Sequence, residues 1–334
     1  MVMKKEGNRM TGDKFIQEIL DIVKNEDGRP PLDEFINEND PEFTEAAINR
    51  DKSELERFKS RWREELESVG ESTRERLELN KKRSSAFEAT ICFLGEESNW
   101  FGEEINLNTT TEYDDVINGE DLVGTYDNGS DGQQHFAIAL DATADTDPMV
   151  ISKKITRHIE KIVGINRWGQ RVKYFKDQEG NNKPLDGIIP FVIGLDKFNA
   201  DEIMSLFLQI KKMRSAKKKS ESEKTALKDR LKNAAEHPAQ AVFCEQMRHQ
   251  IELYKKIINN LPENWLKKIE KHGLTEKREI TKNTLLRDIG VMEEIISGIE
   301  RQKKSVLKKP RLPDGVLDAI KHTCTNFNIE SIVR

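Results

Sequence analysis

The sequence predicts an α/β protein whose strands are confined to the middle of the chain and whose two ends are helical. Three observations lead there. Short apolar runs at 103–109, 120–126 and 134–142 have strand composition, and the last two are joined by DNGSDGQQ, which is turn chemistry. A fourth run, GIIPFVIGLD (187–196), is continuous in Ile, Val and Phe, as a strand buried on both faces requires. The residues on either side of this block follow helical spacing.

Taken in order, residues 12–24 place Phe15, Ile19, Ile22 and Val23 on one face of a short amphipathic helix, and a linker with Pro30, Pro31 and Pro41 follows. From about Thr44 to Leu94 the pattern is helical, with a break near Gly70 and Ser72 or Thr73 as a fresh N-cap. Its last turns, SSAFEATICFL, are the most apolar and should enter a core. After the three strand runs, Asp147-Pro148 reads as N-cap and first helical residue, Gly164 as the stop, and Ile151, Ile155, Ile159 and Ile162 as the buried face. A polar excursion rich in Asn and Gly then leads to the fourth strand run. That strand is reached through a crossover helix, which favours parallel pairing with an earlier one.

Beyond Phe198 the chain is helical. Phe243, Met247, Ile251, Tyr254, Ile258 and Leu261 recur at spacings of three and four, and 276–306 and 314–328 read as further helices. The expected division is an N-terminal helical segment (1–71), an α/β core (72–198) and a C-terminal helical bundle or arm (199–334).

Composition restricts the function classes. With 34% charged and 36% hydrophobic residues, a core must be concentrated in part of the chain. A net charge of -5 argues against a uniformly basic surface that coats nucleic acid. It leaves room for a local one, because residues 211–232 carry ten Lys or Arg against three acids. Lys217, Lys218 and Lys219 are the candidate phosphate contacts there. Cys92, Cys244 and Cys324 are far apart with no CxxC, which fits a reducing cytoplasm and gives neither a disulfide framework nor a zinc site. No apolar leader opens the chain and no window approaches 18 apolar residues, so neither secretion nor membrane spanning is expected. The six histidines form no zinc-type pair, and no GxxxxGK[ST] loop points to a nucleotide phosphate. Trp100 and Phe101 read as packing, with base stacking as the alternative.

The informative anomaly is Asp141. Along the third run, Phe136, Ile138 and Leu140 alternate with Ala137, Ala139, Asp141 and Thr143, and both faces are apolar until the aspartate. A buried carboxylate is costly unless it is paired or binds a metal. Asp121, in EDLV, poses the same question at the start of the second run. The ordinary alternatives are a turn cap at either position, and Asp114 and Asp115 in TEYDDVING are competing acids in a turn.

The order helix, three strands, helix, strand, with one acid on the second strand and another ending the third, resembles the PD-(D/E)xK nuclease superfamily over about residues 72–198. The resemblance implies a restriction-endonuclease-like α-β-β-β-α-β core, with a four-stranded mixed sheet flanked by helices. It also implies acidic residues that hold a divalent metal beside a lysine. Asp121 and Asp141 take the places of the motif acids, and Glu88 in FEATICFL matches the glutamate that many members carry on the first core helix. Two residues after Asp141, where the family has its lysine, this chain has Thr143. A lysine supplied from the next helix is then expected. Lys154, at the edge of the Ile151–Ile155 face, is the candidate, whereas Lys153 should point outward.

The implied activity is Mg²⁺- or Mn²⁺-dependent phosphodiester hydrolysis on nucleic acid, DNA before RNA. Hard carboxylate oxygens suit such ions. The alternative is a catalytically inactive nucleic-acid-binding protein on the same fold, or a homo-oligomeric interaction protein that uses the C-terminal helices.

Overall fold

The strand runs assemble into one mixed sheet. A computed structural model describes residues 12–26, 29–103, 105–126, 136–143, 146–163, 171–176, 180–186, 188–216, 219–262, 282–307 and 312–328. Helices α1 (Gly12–Glu26), α2 (Glu45–Ser68) and α3 (Glu71–Ser98) precede strand β1 (Ile105–Thr109). Next come β2 (Leu122–Tyr126), β3 (Phe136–Thr143), helix α4 (Pro148–Ile162), and the short strands β4 (Arg171–Val172) and β5 (Leu185–Asp186). Strand β6 (Ile189–Gly194) leads into α5 (Lys197–Ser215), α6 (Glu221–Ala235) and α7 (Ala239–Asn259). The last helices described are α8 (Lys282–Gln302), α9 (Lys304–Leu307) and α10 (Gly315–Asn326).

The four-stranded sheet has the order β1-β2-β3-β6. The first three strands form an antiparallel meander, and β6 lies parallel to β3, as the crossover through α4 requires. Asp147 caps α4 through Met149 N, Pro148 is the first helical residue, and Ile151, Ile155, Ile159 and Ile162 are buried. Gly164 lies outside the described residues, as does 276–281 of the expected helix 276–306.

Two local expectations are corrected. Gly70, not Ser72 or Thr73, is the N-cap of α3: its extended backbone (φ -61°, ψ 151°) lets its carbonyl accept from Thr73 N and Arg74 N. The two hydroxyl residues are thereby drawn into the first turn. The polar excursion before β6 contains the two-stranded β4–β5 ladder, whose Val172 and Leu185 bury with Ile188 against Val123.

The main apolar core runs from Ile16 of α1 to Ile320 of α10 and includes residues of all four sheet strands and of the helices packed on them, beside smaller clusters around Phe43 and Val123. The C-terminal helices are therefore part of the core that covers the sheet. Helix α7 shows how. Gln250 accepts from Val192 N (2.9 Å) and donates to Val192 O (2.7 Å), and Gln246 does the same with Gly194 (2.9 and 2.8 Å). Tyr254 Oη donates to Pro190 O (2.9 Å). Four helical residues rise about 6 Å and two strand residues about 6.7 Å, so side chains at i, i+4 and i+8 match alternate residues of β6. The outer edge of the sheet is thus satisfied by a helix. Glycine is required at 194, because a Cβ there would lie 2.1 Å from Thr143 O on the neighbouring strand.

Trp100 and Phe101 are packing residues: both are buried, Phe101 stacks on Phe243, and Trp100 Nε1 donates to Ala234 O (2.8 Å). No base can reach them. Among the described residues, no helix is long and apolar enough to cross a membrane.

Candidate functional site

Strand register brings the two aspartates together. Leu122 pairs with Leu140, and one step beyond, Asp121 N donates to Leu140 O (3.2 Å), so Asp121 and Asp141 lie opposite one another. Asp121 Oδ2 accepts from Ala142 N (2.7 Å), which fixes its carboxylate against β3. From α4, Lys154 Nζ donates to Asp141 Oδ1 and Arg157 Nη2 to Oδ2 (2.8 Å), while Lys153 is exposed. From α3, Glu88 accepts from Arg29 (2.8 Å), whose other nitrogen pairs with Asp115 (2.9 Å). Glu88, Asp121, Asp141 and Lys154, from four different elements, thus gather at one end of the sheet.

The electrostatics separate their roles. Burial pushes the Glu88 carboxyl up to about 7, with Asp115 and Asp141 adding to the effect against Arg29 and Lys154. Burial likewise raises Asp121 well above the usual carboxylate range, and repulsion from Glu88, Asp115 and Asp141 raises it further. Burial works in the same direction on Asp141, but Lys154 and Arg157 outweigh it and hold that carboxyl below its ordinary value. Asp141 is thus the ionised anchor, and Glu88 and Asp121 are carboxyls that burial, aided by neighbouring negative charge, holds near protonation.

His158, on the same face of α4, is fully buried 3.6 Å from Asp141 Oδ2, with neither ring nitrogen hydrogen-bonded. Burial keeps it neutral. One turn further on, Lys161 donates to Glu120 and to Asn118 O in a pair with both side chains buried.

Several of these residues escape the motif-level reading. Arg157 and Lys161 were legible as a stripe: Lys154, Arg157, His158 and Lys161 recur at helical spacing beside the isoleucines. Gly119 belongs with them. Its φ is +71°, a Cβ would meet the Arg157 guanidinium at 2.6 Å, and its carbonyl accepts from Arg157 (3.2 Å). Arg29 gave no local signal, since its pairing with Glu88 and Asp115 is purely tertiary, and Asp115, a competing acid of the TEYDDVING turn, joins the site through it.

Asp114 is structural. It is fully buried in a π-helical turn (Asp114–Asn118) and accepts from Thr111 (3.0 Å), Asn118 (2.6 Å), Lys173 N (2.8 Å) and Tyr174 N (3.0 Å). Of the basic segment, Lys217 and Lys218 lie outside the described residues, and Lys219 donates to Arg214 O (3.0 Å). Arg214 itself forms a bidentate pair with Glu97 (2.6 Å each), nine residues along α3 from Glu88. At 1.5 Å per residue that is about 13 Å from the site.

The chain matches no family model, no curated protein and no solved structure.

Carboxylate oxygens are the donor type that a hard divalent cation takes, and a bound cation would draw Glu88 and Asp121 back to the ionised form that burial and like charge oppose. The arrangement around Asp141, however, is closed by Lys154 and Arg157. Among the described residues, no three His, Cys, Asp or Glu side chains are disposed to share an ion.

The raised Glu88 carboxyl has a measurable consequence. A carboxyl with a folded pKa above its unfolded value binds its proton more tightly when folded. Its stabilisation is present at low pH and lost as pH rises from 4.5 to about 7. The shift corresponds to about 3 kcal/mol, and Asp121 acts in the same direction. His158, buried and neutral, works the other way, because the unfolded imidazole takes up a proton below pH 6.5. Urea unfolding of metal-free protein should therefore be read as a difference: stability at pH 5 relative to pH 7.5 should be lower in Glu88→Gln than in the parent, and an unchanged pH profile in that variant would refute the assignment.

Proposed function

We propose that this cluster is the active site of a Mg²⁺- or Mn²⁺-dependent phosphodiesterase that cuts nucleic acid, DNA before RNA, on a restriction-endonuclease-like core. The observation that carries the reading is the convergence of Glu88, Asp121 and Asp141 with Lys154 at the ends of adjacent strands. Glu88, Asp121 and Asp141 would hold the ion only after a rearrangement that frees Asp141 from Lys154 and Arg157 and draws the three carboxyls together, since they are not disposed to share one as they stand. When bound, it would supply a Lewis acid for the phosphoryl group and a water of lowered pKa. Asp141 is kept ionised for that task by its two cations. Lys154 stays charged although burial opposes it, since Asp141 and Asp121 pull its pKa up. Released from Asp141, its ammonium would be available to neutralise negative charge developing on the phosphate. It thereby fills the part that Thr143 cannot. No disulfide joins Cys92, Cys244 and Cys324, as a cytoplasmic setting would have it.

One observation favours the second reading, a non-catalytic nucleic-acid-binding or oligomeric interaction protein. Both oxygens of Asp141 are already engaged by cations. Plasmid nicking with and without Mg²⁺ or Mn²⁺ separates the two. Lys154→Ala should lower turnover by about two orders of magnitude, typical for loss of a charge-stabilising group, while Lys153→Ala should stay within a few-fold of the parent. Equal sensitivity of the two lysines would remove Lys154 from the site. Metal-independent absence of cleavage on plasmid and oligonucleotide alike would leave only the binding reading.

A further inference from the structure

Beside the carboxylates, α3 and the N-terminal turns of α4 and α5 enclose a groove. Its lining includes Lys81, Arg83, Thr143, Thr146, Lys154 and Lys197, with four cations in all and no carboxylate. In a chain of net charge -5 this is a local cluster of cations, of which Lys81 and Lys197 are exposed while Lys154 and Arg83 are paired with carboxylates. It meets the candidate site directly, since Lys154 both lines the groove and binds Asp141, and Thr143 shares the face of Asp141 on β3. Arg83 is braced by Asp201 (2.9 Å), whereas Lys197 is exposed and forms no ion pair with a described residue.

Exposed apolar side chains neighbour the lining residues in the chain or touch one of them. Phe198, next to Lys197, is 79% exposed, and Met149, next to the lining residue Val150, is 65% exposed. Trp62 lies under Lys81, whose Nζ is 4.1 Å from the ring centroid. A single exposed apolar side chain is ordinary. Here three of the five large exposed hydrophobics among the described residues are chain neighbours or contact partners of the residues that line one basic groove, and the other two are Ile36 and Leu77.

We infer that the groove binds one unpaired strand of nucleic acid, with phosphates along Lys81 and Lys197 and a base stacked on Phe198. Cations along a groove track a phosphate backbone, and an aromatic face beside them stacks on bases. In a duplex those faces are hidden within the base stack, so Phe198 has a partner only where the strand is single. The inference deepens the nuclease reading by naming the form of its substrate, and it assigns the nearest phosphate contacts to this groove rather than to residues 211–232.

The test is fluorescence anisotropy on the full chain in EDTA, with labelled oligo(dT) of about 20 nucleotides, enough to span a site of usual size, against a hairpin duplex of similar charge. Oligo(dT) should bind at least about tenfold more tightly than the duplex. Phe198→Ala should weaken oligo(dT) binding about tenfold, as loss of one stacked base does, and leave the salt dependence unchanged. Lys81→Gln with Lys197→Gln should flatten the slope of log affinity against log salt by about 1.4, at roughly 0.7 per phosphate on a single strand. Both sites are on the surface, and matched thermal midpoints would confirm that the variants fold. Equal or tighter duplex binding, full affinity in Phe198→Ala, or an unaltered slope in the lysine variant would each overturn the inference. Single-strand binding without cleavage in Mg²⁺ would remove the nuclease reading alone, and cleavage without single-strand preference would remove this inference alone.

Discussion

Asp141→Asn is expected to abolish both nucleic-acid cleavage and any rise in thermal midpoint on adding Mg²⁺ or Mn²⁺. In the parent protein, a cation bound only by the folded state raises stability by mass action, by about 2.7 kcal/mol at a hundredfold excess over Kd. The amide keeps the shape of the side chain but removes the anionic oxygens. It also leaves Lys154 and Arg157 facing a neutral group. Lys154 is mostly buried and Asp141 almost wholly so. Breaking a buried pair from one side costs about 3–5 kcal/mol, and the lower end applies here because Arg157 is 41% exposed and regains water. The variant will thus melt earlier than the parent, and the informative quantity is its response to metal rather than its midpoint. A parent midpoint that does not move in excess Mg²⁺ or Mn²⁺ would argue strongly against a metal site.

Lys161→Ala should be the most destabilising substitution on α4. Lys161 and Glu120 are nearly inaccessible (3% and 1% exposed), and the lysine also satisfies Asn118 O. Without it Glu120 is a buried carboxylate that already has one oxygen without a hydrogen bond. The expected loss is about 3–5 kcal/mol near neutral pH. Burial already raises the Glu120 carboxyl, with Lys161 as the main opposing charge. In the variant Glu120 should therefore take up a proton more readily, so the penalty grows as pH rises. Urea unfolding at pH 5 and pH 7.5 reads both the size and the sign. The double variant Glu120→Gln, Lys161→Met should recover much of the loss, because a neutral pair of similar volume leaves no charge unpaired. A single variant within about 1 kcal/mol of the parent would show that water reaches Glu120.

The fold was largely legible because each strand run carries the apolar content of a sheet interior, and α4 announces itself by both cap and periodicity. Asp141 was legible for a physical reason: a carboxylate in an apolar strand is an exception that burial alone cannot produce. The position of Lys154 followed from helix geometry relative to Ile151 and Ile155. Arg29 was not legible, since nothing near it in sequence indicates that it will sit between Glu88 and Asp115. Glu120 was overlooked because it adjoins Asp121, and only the three-dimensional position of Lys161 shows that both acids are buried. Gln246 and Gln250 left a faint trace as amides on the apolar stripe of α7. Their partners are backbone groups of β6, which no side-chain pattern reveals.

Those two glutamines bear on how the chain comes to be folded. During synthesis, β6 is complete about 45 residues before Ala239 begins the helix that seals it. Until then, Val192 and Gly194 offer unpaired amides on an apolar strand, the kind of edge that recruits a strand from another molecule. Truncation ahead of Ala239 would make that interval permanent, and the expected product is aggregate rather than a smaller soluble core. In the finished protein the same edge is closed to strand-addition partners, so the capping helix also acts as an intramolecular chaperone for the sheet.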